Sequence, residues 1–348
     1  MYVAPRPQLH DDPLFALRLA LLCVISFAAV QWIKPVVPAL VVTLPIAILG
    51  GQRKRFDPLL GVIAPLIFIV IVWVMTLIVS LTQETPVLMI AITFLIFFGG
   101  FWVTRRTGSP IGMLVIMAAT LMSIMGLKNP SMLFYFRDGF TQGALLSIVT
   151  VPLLYWLIPP ASQDVHQREV QLIEDHRGIG SLIRAGVLLL LCFWLYAVMP
   201  ASDMILAMAA IFVLVFPTRG QVASEAIQRT LATLYGTGAA LLILLVLSWN
   251  AHFLILLGLV ALAGLFFGWR MMEGGHPSMV YQYGLSVCIA LVAIAFSSQS
   301  PAYASIMRIL LTGVGAISAA MLVALFDSLL LDKSQRSIPK KMNPLVSD

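Results

Sequence analysis

Charge is what this sequence has least of. Of its 348 residues, 15 are acidic and 21 are lysine or arginine, ten per cent in all. A soluble domain carries about 25% charged residues, so this chain has too little polar surface to face water and most of it must face lipid. Cysteine is nearly absent too. Cys23, Cys192 and Cys288 each lie in an apolar run, where they behave as small hydrophobes, and no spacing suggests a disulfide or a metal site. No Gly-x-Ser-x-Gly, His-Glu-x-x-His or phosphate-binding glycine loop occurs, which argues against an enzyme or an ATPase and implies no cofactor. Glu273, His276 and the pair His166/His176 are metal-ligand types without metal-ligand spacing. The net charge of +6 does not point to nucleic acid, because the basic residues sit in short loops between apolar runs.

What is present is hydrophobicity: 60% of residues are apolar. A helix needs roughly 20 apolar residues to cross the bilayer core. On that ruler spans fall near 14–33, 36–50, 58–81, 85–104, 110–127, 138–159, 181–199, 202–217, 230–249, 252–270, 277–297 and 309–331. The spans at 36–50 and 202–217 are short, and Pro38 and Pro45 suggest that the first is broken or partly inserted. The first apolar run follows a polar start with Arg6, Asp11 and Asp12 and lacks a convincing cleavage site, so it is expected to be retained. With a cytoplasmic N terminus, only Lys34, Lys128, Arg137 and Arg308 of the 21 basic residues fall on the outer side. That bias places both termini in the cytoplasm.

Sliding the sequence along itself aligns several landmarks. An offset of 166 sets Arg18 on Arg184 and Arg53 on Arg219. An offset of 167 sets Trp102, Gly108 and Pro110 on Trp269, Gly275 and Pro277, and one of 171 sets Arg137 and Thr141 on Arg308 and Thr312. The expected fold is therefore an all-α integral membrane protein of about 12 transmembrane helices in two parallel six-helix repeats. Six is even, so the halves share an orientation and a pseudo-two-fold axis along the membrane normal. Residues 1–159 form the first repeat, 160–180 a short cytoplasmic linker, 181–331 the second repeat and 332–348 a cytoplasmic tail.

The candidate site residues are cations followed by hydroxyls. Arg137/Thr141 and Arg308/Thr312 each share a helix face at the outer entrance of the last helix of a half, and a guanidinium holds a carboxylate bidentately. The alternative is that both arginines snorkel to headgroups, Arg137 beside Asp138. Arg18 and Arg184 are placed for the inner mouth of an anion path, or for topogenic anchoring. Arg229 opens the ninth span with Thr233 one turn on; the small residues of that run also permit close helix packing. No carboxylate lies clearly at mid-membrane, where a proton relay is often placed.

The passage from Arg184 through Phe216-Pro217 to Arg229-Thr-Leu-Ala-Thr233-Leu-Tyr-Gly236 resembles the fusaric acid resistance and aromatic acid exporter family. Thr233 and Gly236 match that family's motif, while Ala232 replaces its first glycine. The six-helix unit also resembles, distantly, the aluminium-activated malate transporters. Two features depart from the pattern: a short linker stands where members carry a large cytoplasmic domain, and Ile63 stands roughly where the first half would need an arginine. The resemblance implies efflux of small organic anions, aromatic or hydrophobic carboxylates among them, across a bacterial inner membrane with a periplasmic adaptor protein. Two other functions stay open: a non-transporting membrane scaffold or assembly subunit of an envelope complex, and an intramembrane enzyme acting on lipid.

Overall fold

The computed structural model describes residues 9–107, 110–162, 177–198, 219–249 and 252–295. The expected spans at 202–217 and 309–331, most of the linker and the C-terminal tail lie outside the described residues, and Arg308 and Thr312 with them. Within them the long elements are all helices: α1 (Phe15–Ile33), α2 (Pro38–Gly50), α3 (Ala64–Thr82), α4 (Pro86–Thr107) and α5 (Pro110–Lys128). After these come α6 (Pro130–Leu157), α7 (Arg177–Val198), α8 (Arg219–Trp249), α9 (Phe253–Glu273) and α10 (Ser278–Ala295).

Seven described segments are long and apolar enough to cross a membrane: α1, Leu59–Thr82, α4, α6, the Ile227–Trp249 part of α8, α9 and α10. Three more helices are apolar but shorter, covering Pro38–Gly50, Ile111–Leu127 and Gly178–Trp194. With 13 residues, α2 is about 20 Å long and falls short of a hydrocarbon core of about 30 Å. Pro38 stands in its first turn, where the missing N–H is harmless, and the helix runs on through Pro45. Leu59–Ile63 forms a π-helical turn that leads into α3.

Two helices begin earlier than hydropathy suggests. α6 starts at Pro130, with Asn129 accepting a hydrogen bond from the Ser131 N–H at 2.9 Å. Arg137 therefore lies not at the helix entrance but roughly 10 Å along it. α8 starts at Arg219, so Arg229 does not open the helix but lies roughly 15 Å into it. Both errors have one cause: charged residues lower the windowed hydropathy, whereas the backbone continues as a helix through them.

Lipid cannot satisfy a polar group, so the helices satisfy their own. The hydroxyls of Thr43, Thr76, Thr104, Thr120 and Thr150 each donate to the carbonyl four residues back at 2.7–2.9 Å. Two apolar cores result. One is built by α3, α4, α5, α7 and the first part of α6, including Phe68, Phe97, Phe136 and Leu188. The other is built by α1, α2, α8, α9, α10 and the end of α6, including Leu19, Ile46, Leu154 and Leu285. α10 is the innermost of the spans, 67% buried against 28–44% for the other six.

The packing crosses the chain. α1 lies on α9, α7 on α4, and α2 on α10. Small residues set the α1–α9 approach: a Cβ on Gly264 would stand 2.6 Å from Ala20 Cα, and one on Gly268 would stand 2.8 Å from Ala16 Cα. Gly264 and Gly268 face Ala16 and Ala20 in a small-xxx-small seam, the arrangement that lets helix backbones meet in a membrane.

Candidate functional site

Among the described residues three arginine side chains are fully buried. Arg18, Arg53 and Arg184 are 0%, 1% and 1% exposed. Burying a guanidinium is costly unless hydrogen bonds replace its water, so their partners define the site.

Arg18, in the first turn of α1, donates Nη1 to the Ile158 carbonyl at 2.9 Å and Nη2 to the Asp12 carboxylate. Its guanidinium carbon lies 4.5 Å over the ring of Tyr155, a cation–π contact. The Tyr155 hydroxyl in turn donates to the Gln52 carbonyl at 2.7 Å. Burial pushes the Asp12 carboxyl up to about 6 from 3.8, against the opposing pull of Arg18. Several buried atoms of this group have no hydrogen-bond partner: Arg18 Nε, Asp12 Oδ1 and both polar atoms of the Gln52 amide.

Arg53 ties the segment after α2 to the start of α10. It donates to the Gly50 carbonyl at 3.2 Å, Ser278 Oγ at 2.5 Å and Gln282 Oε1 at 3.4 Å. Gln282 also donates to the Ala47 carbonyl at 3.1 Å. Arg184 belongs to the other core. It donates to the Gly180 carbonyl at 3.1 Å, and the buried Arg105 guanidinium packs against the same glycine. Arg18 and Arg184 thus occupy different lobes, each with its own surroundings.

Arg229 lies on the ring of Tyr283, 4.5 Å from its centre, and donates to the Tyr283 hydroxyl at 3.3 Å. Thr233 is buried and donates to the Arg229 carbonyl at 2.8 Å. One turn on, Gly236 lets α8 reach α10; a Cβ there would overlap the Gly284 carbonyl and stand 2.8 Å from Val287 Cβ. Close packing and a cation coexist on this helix.

Arg137 and Thr141 do share a face, joined by Trp73. Arg137 pairs with Asp138 at 2.7 Å and lies 4.5 Å from the Trp73 ring centre and 5.2 Å from that of Phe134. The Trp73 indole N–H donates to the Thr141 hydroxyl at 3.2 Å. Trp73 and Phe134 are themselves exposed, so this cluster lies on the outside of the helices.

Cavities lie in both parts of the described bundle. One, of about 470 Å³, is lined by Arg55, Phe56, Asp57, Pro160, Ser162 and Tyr155, whose ring also meets Arg18. The other, of about 160 Å³, lies between α4, α5 and α7 and is apolar apart from Thr93, Thr120, Ser123 and Tyr196. Asp12, Gln52, Arg53, Tyr155 and Gln282 were not expected from sequence. Arg53 alone left a signal, its alignment with Arg219.

Residues 190–322 match the model of the family described as fusaric acid resistance protein-like. The matched region takes in most of the second half, with Arg229, Thr233, Gly236, Arg308 and Thr312, and agrees with the resemblance seen in the Arg229–Gly236 run. Together with the seven apolar segments, this fusaric acid resistance protein-like region marks a multi-pass membrane protein. No curated protein and no solved structure matches the chain.

Proposed function

We propose that the chain is an efflux transporter for small organic anions, aromatic or hydrophobic carboxylates in particular, in a bacterial inner membrane with both termini cytoplasmic. The observation that carries this reading is the full burial of Arg18, Arg53 and Arg184 in a largely apolar bundle. Buried intramembrane cations are expensive and concentrate where ions pass. The family match supports an organic acid as substrate, and in this reading a periplasmic adaptor is the partner. Two six-helix repeats are supported by the reciprocal seating of α1 on α9 and α7 on α4, which pairs the first expected span of each half with the fourth expected span of the other. In this reading Arg18, Arg184, Arg229 and Thr233 serve the cytoplasmic side, and Arg137, Thr141, Arg308 and Thr312 the outer side.

Energetics suit the reading. A monovalent anion leaving a negative interior gains about 2.3 kcal/mol per 100 mV, or about fifty-fold in concentration at equilibrium. A potential-driven path therefore suffices. A second reading, a non-transporting scaffold, is favoured by one observation: Arg137 is already paired with Asp138 and stacked on exposed aromatics. Efflux of labelled benzoate from cells expressing the chain with a candidate adaptor tests both. Export by the wild type and its loss in an equally abundant Arg137→Ala/Arg308→Ala variant supports the outer site. Normal export by that variant assigns Arg137 to headgroups, and no export of any anion in a broad panel favours the scaffold.

A further inference from the structure

We infer that Arg18 is a carboxylate-binding site gated by Asp12, where an entering organic anion takes the guanidinium from Asp12 and Asp12 takes up a proton. The inference rests on the organic-anion reading above and adds the competitor and the proton. Three observations carry it.

First, the pair is closed. Asp12 and Arg18 both have fully buried side chains and bond to each other, so a new anion reaches Arg18 only by replacing Asp12 or by using what Asp12 leaves. Second, something is left: Arg18 Nε, Asp12 Oδ1 and the Gln52 amide are buried polar atoms without partners. Natural proteins seldom leave such groups bare, and a carboxylate on Arg18 would accept from Nε. Third, there is an approach. Tyr155, whose ring lies against Arg18, also lines the cavity of about 470 Å³. That volume lies in the usual range for small-molecule pockets, about 300–1,000 Å³. The cavity presents Arg55 as well as Asp57, so it is not simply an anion sink, and selection falls to Arg18 behind Tyr155.

The proton follows from charge. Displaced from Arg18 but still buried, an Asp12 carboxylate would have no counter-ion, and the low-energy outcome is the neutral acid. The groups facing Asp12 among the described residues are Arg18 on α1, Asp11 and its partner His10 on the turn before it, and Tyr155 on α6. Asp11 disfavours the charged form and Arg18 favours it, so removing Arg18's attraction tips the balance. The step balances as one anion and one proton bound together, with the net charge of the site unchanged. Both are taken from the same side, so the linkage sets when the site loads rather than what drives transport. Loading is strongest as pH falls, the condition that accumulated organic acid itself creates.

The test is calorimetric titration of the purified full chain with benzoate, in buffers of different ionisation enthalpy, from pH 6 to 8. Wild type is expected to take up a substantial fraction of one proton per benzoate near pH 7, and its affinity to weaken on the order of ten-fold or more from pH 6 to 8. Asp12→Asn is expected to bind benzoate with no proton uptake and a pH-independent affinity. The buffer comparison on wild type alone decides the matter should that variant not fold. Benzoate binding by wild type with no proton uptake and a flat pH profile overturns the inference and leaves the transporter reading standing. Failure of both binding and transport across an anion panel overturns the transporter reading and this inference together.

Discussion

Arg18→Met should reveal the Asp12 pair through its pH dependence. The substitution keeps most of the side-chain volume but removes the donor to Ile158, the donor to Asp12 and the contact on Tyr155. Removing one partner of a buried ion pair costs about 3–5 kcal/mol because it strands the other charge. Asp12 has an escape, however, since its carboxyl already titrates at about 6. A carboxyl raised in the folded state stabilises fully below its unfolded value of 3.8 and loses that contribution as pH rises through about 6. Without Arg18 the folded value moves higher still, so the loss extends further up the pH scale. At pH 5 Asp12 is neutral in both proteins, and the variant lacks only its hydrogen bonds and cation–π contact, about 1–3 kcal/mol. At pH 8 the stranded charge adds to this, and the full penalty of about 3–5 kcal/mol appears. Thermal unfolding in detergent should show a fall of about 6–10 °C at pH 8 and roughly half of that at pH 5. Arg18→Met/Asp12→Leu should recover much of the loss and show the same difference from wild type at both pH values. An equal fall for the single variant at pH 5 and 8, or a double variant no better than the single, refutes the reasoning.

Three further outcomes are expected. Gly236→Leu drives a side chain into the Gly284 carbonyl and Val287, and should cost about 1–3 kcal/mol, read as a lower unfolding temperature, whereas Gly238→Leu, with open space around it, should not. Gly268→Leu drives a side chain into Ala16 of α1 and should cost about 1–3 kcal/mol, read as a lower unfolding temperature. Arg137→Ala should change stability by less than about 1 kcal/mol, since its ion pair is partly exposed, so any loss of export in that variant reports on anion handling rather than folding.

Much of the helical layout was legible because lipid enforces it. A run of apolar residues long enough to span can hardly be anything else, and the starts of α1, α4, α9 and α10 fall within a few residues of the hydropathy limits. The starts of α6 and α8 were not legible, because Arg137 and Arg229 sit inside helices at positions where a window average reports a loop. The family resemblance was legible in seven or eight residues around Thr233 and Gly236, which lie in the region that matches. The basic site was less so. Arg18 and Arg184 stood out by position, but their burial comes from partners far along the chain, such as Ile158 for Arg18. Arg53 shows the limit most plainly: its partners Ser278 and Gln282 lie 225 and 229 residues away, and no local pattern announces a contact of that range. Asp12 read as part of a polar leader, and only the fold closes it against Arg18.

The central claim is that this protein moves organic anions, and flux through the purified chain tests it most directly. Vesicles containing the protein, loaded with labelled benzoate and clamped inside-negative with a potassium ionophore, should release it in a saturable manner, faster than protein-free vesicles and more slowly once the potential is collapsed. Release no faster than from protein-free vesicles, for benzoate and across a panel of other carboxylates at either potential, would contradict the account.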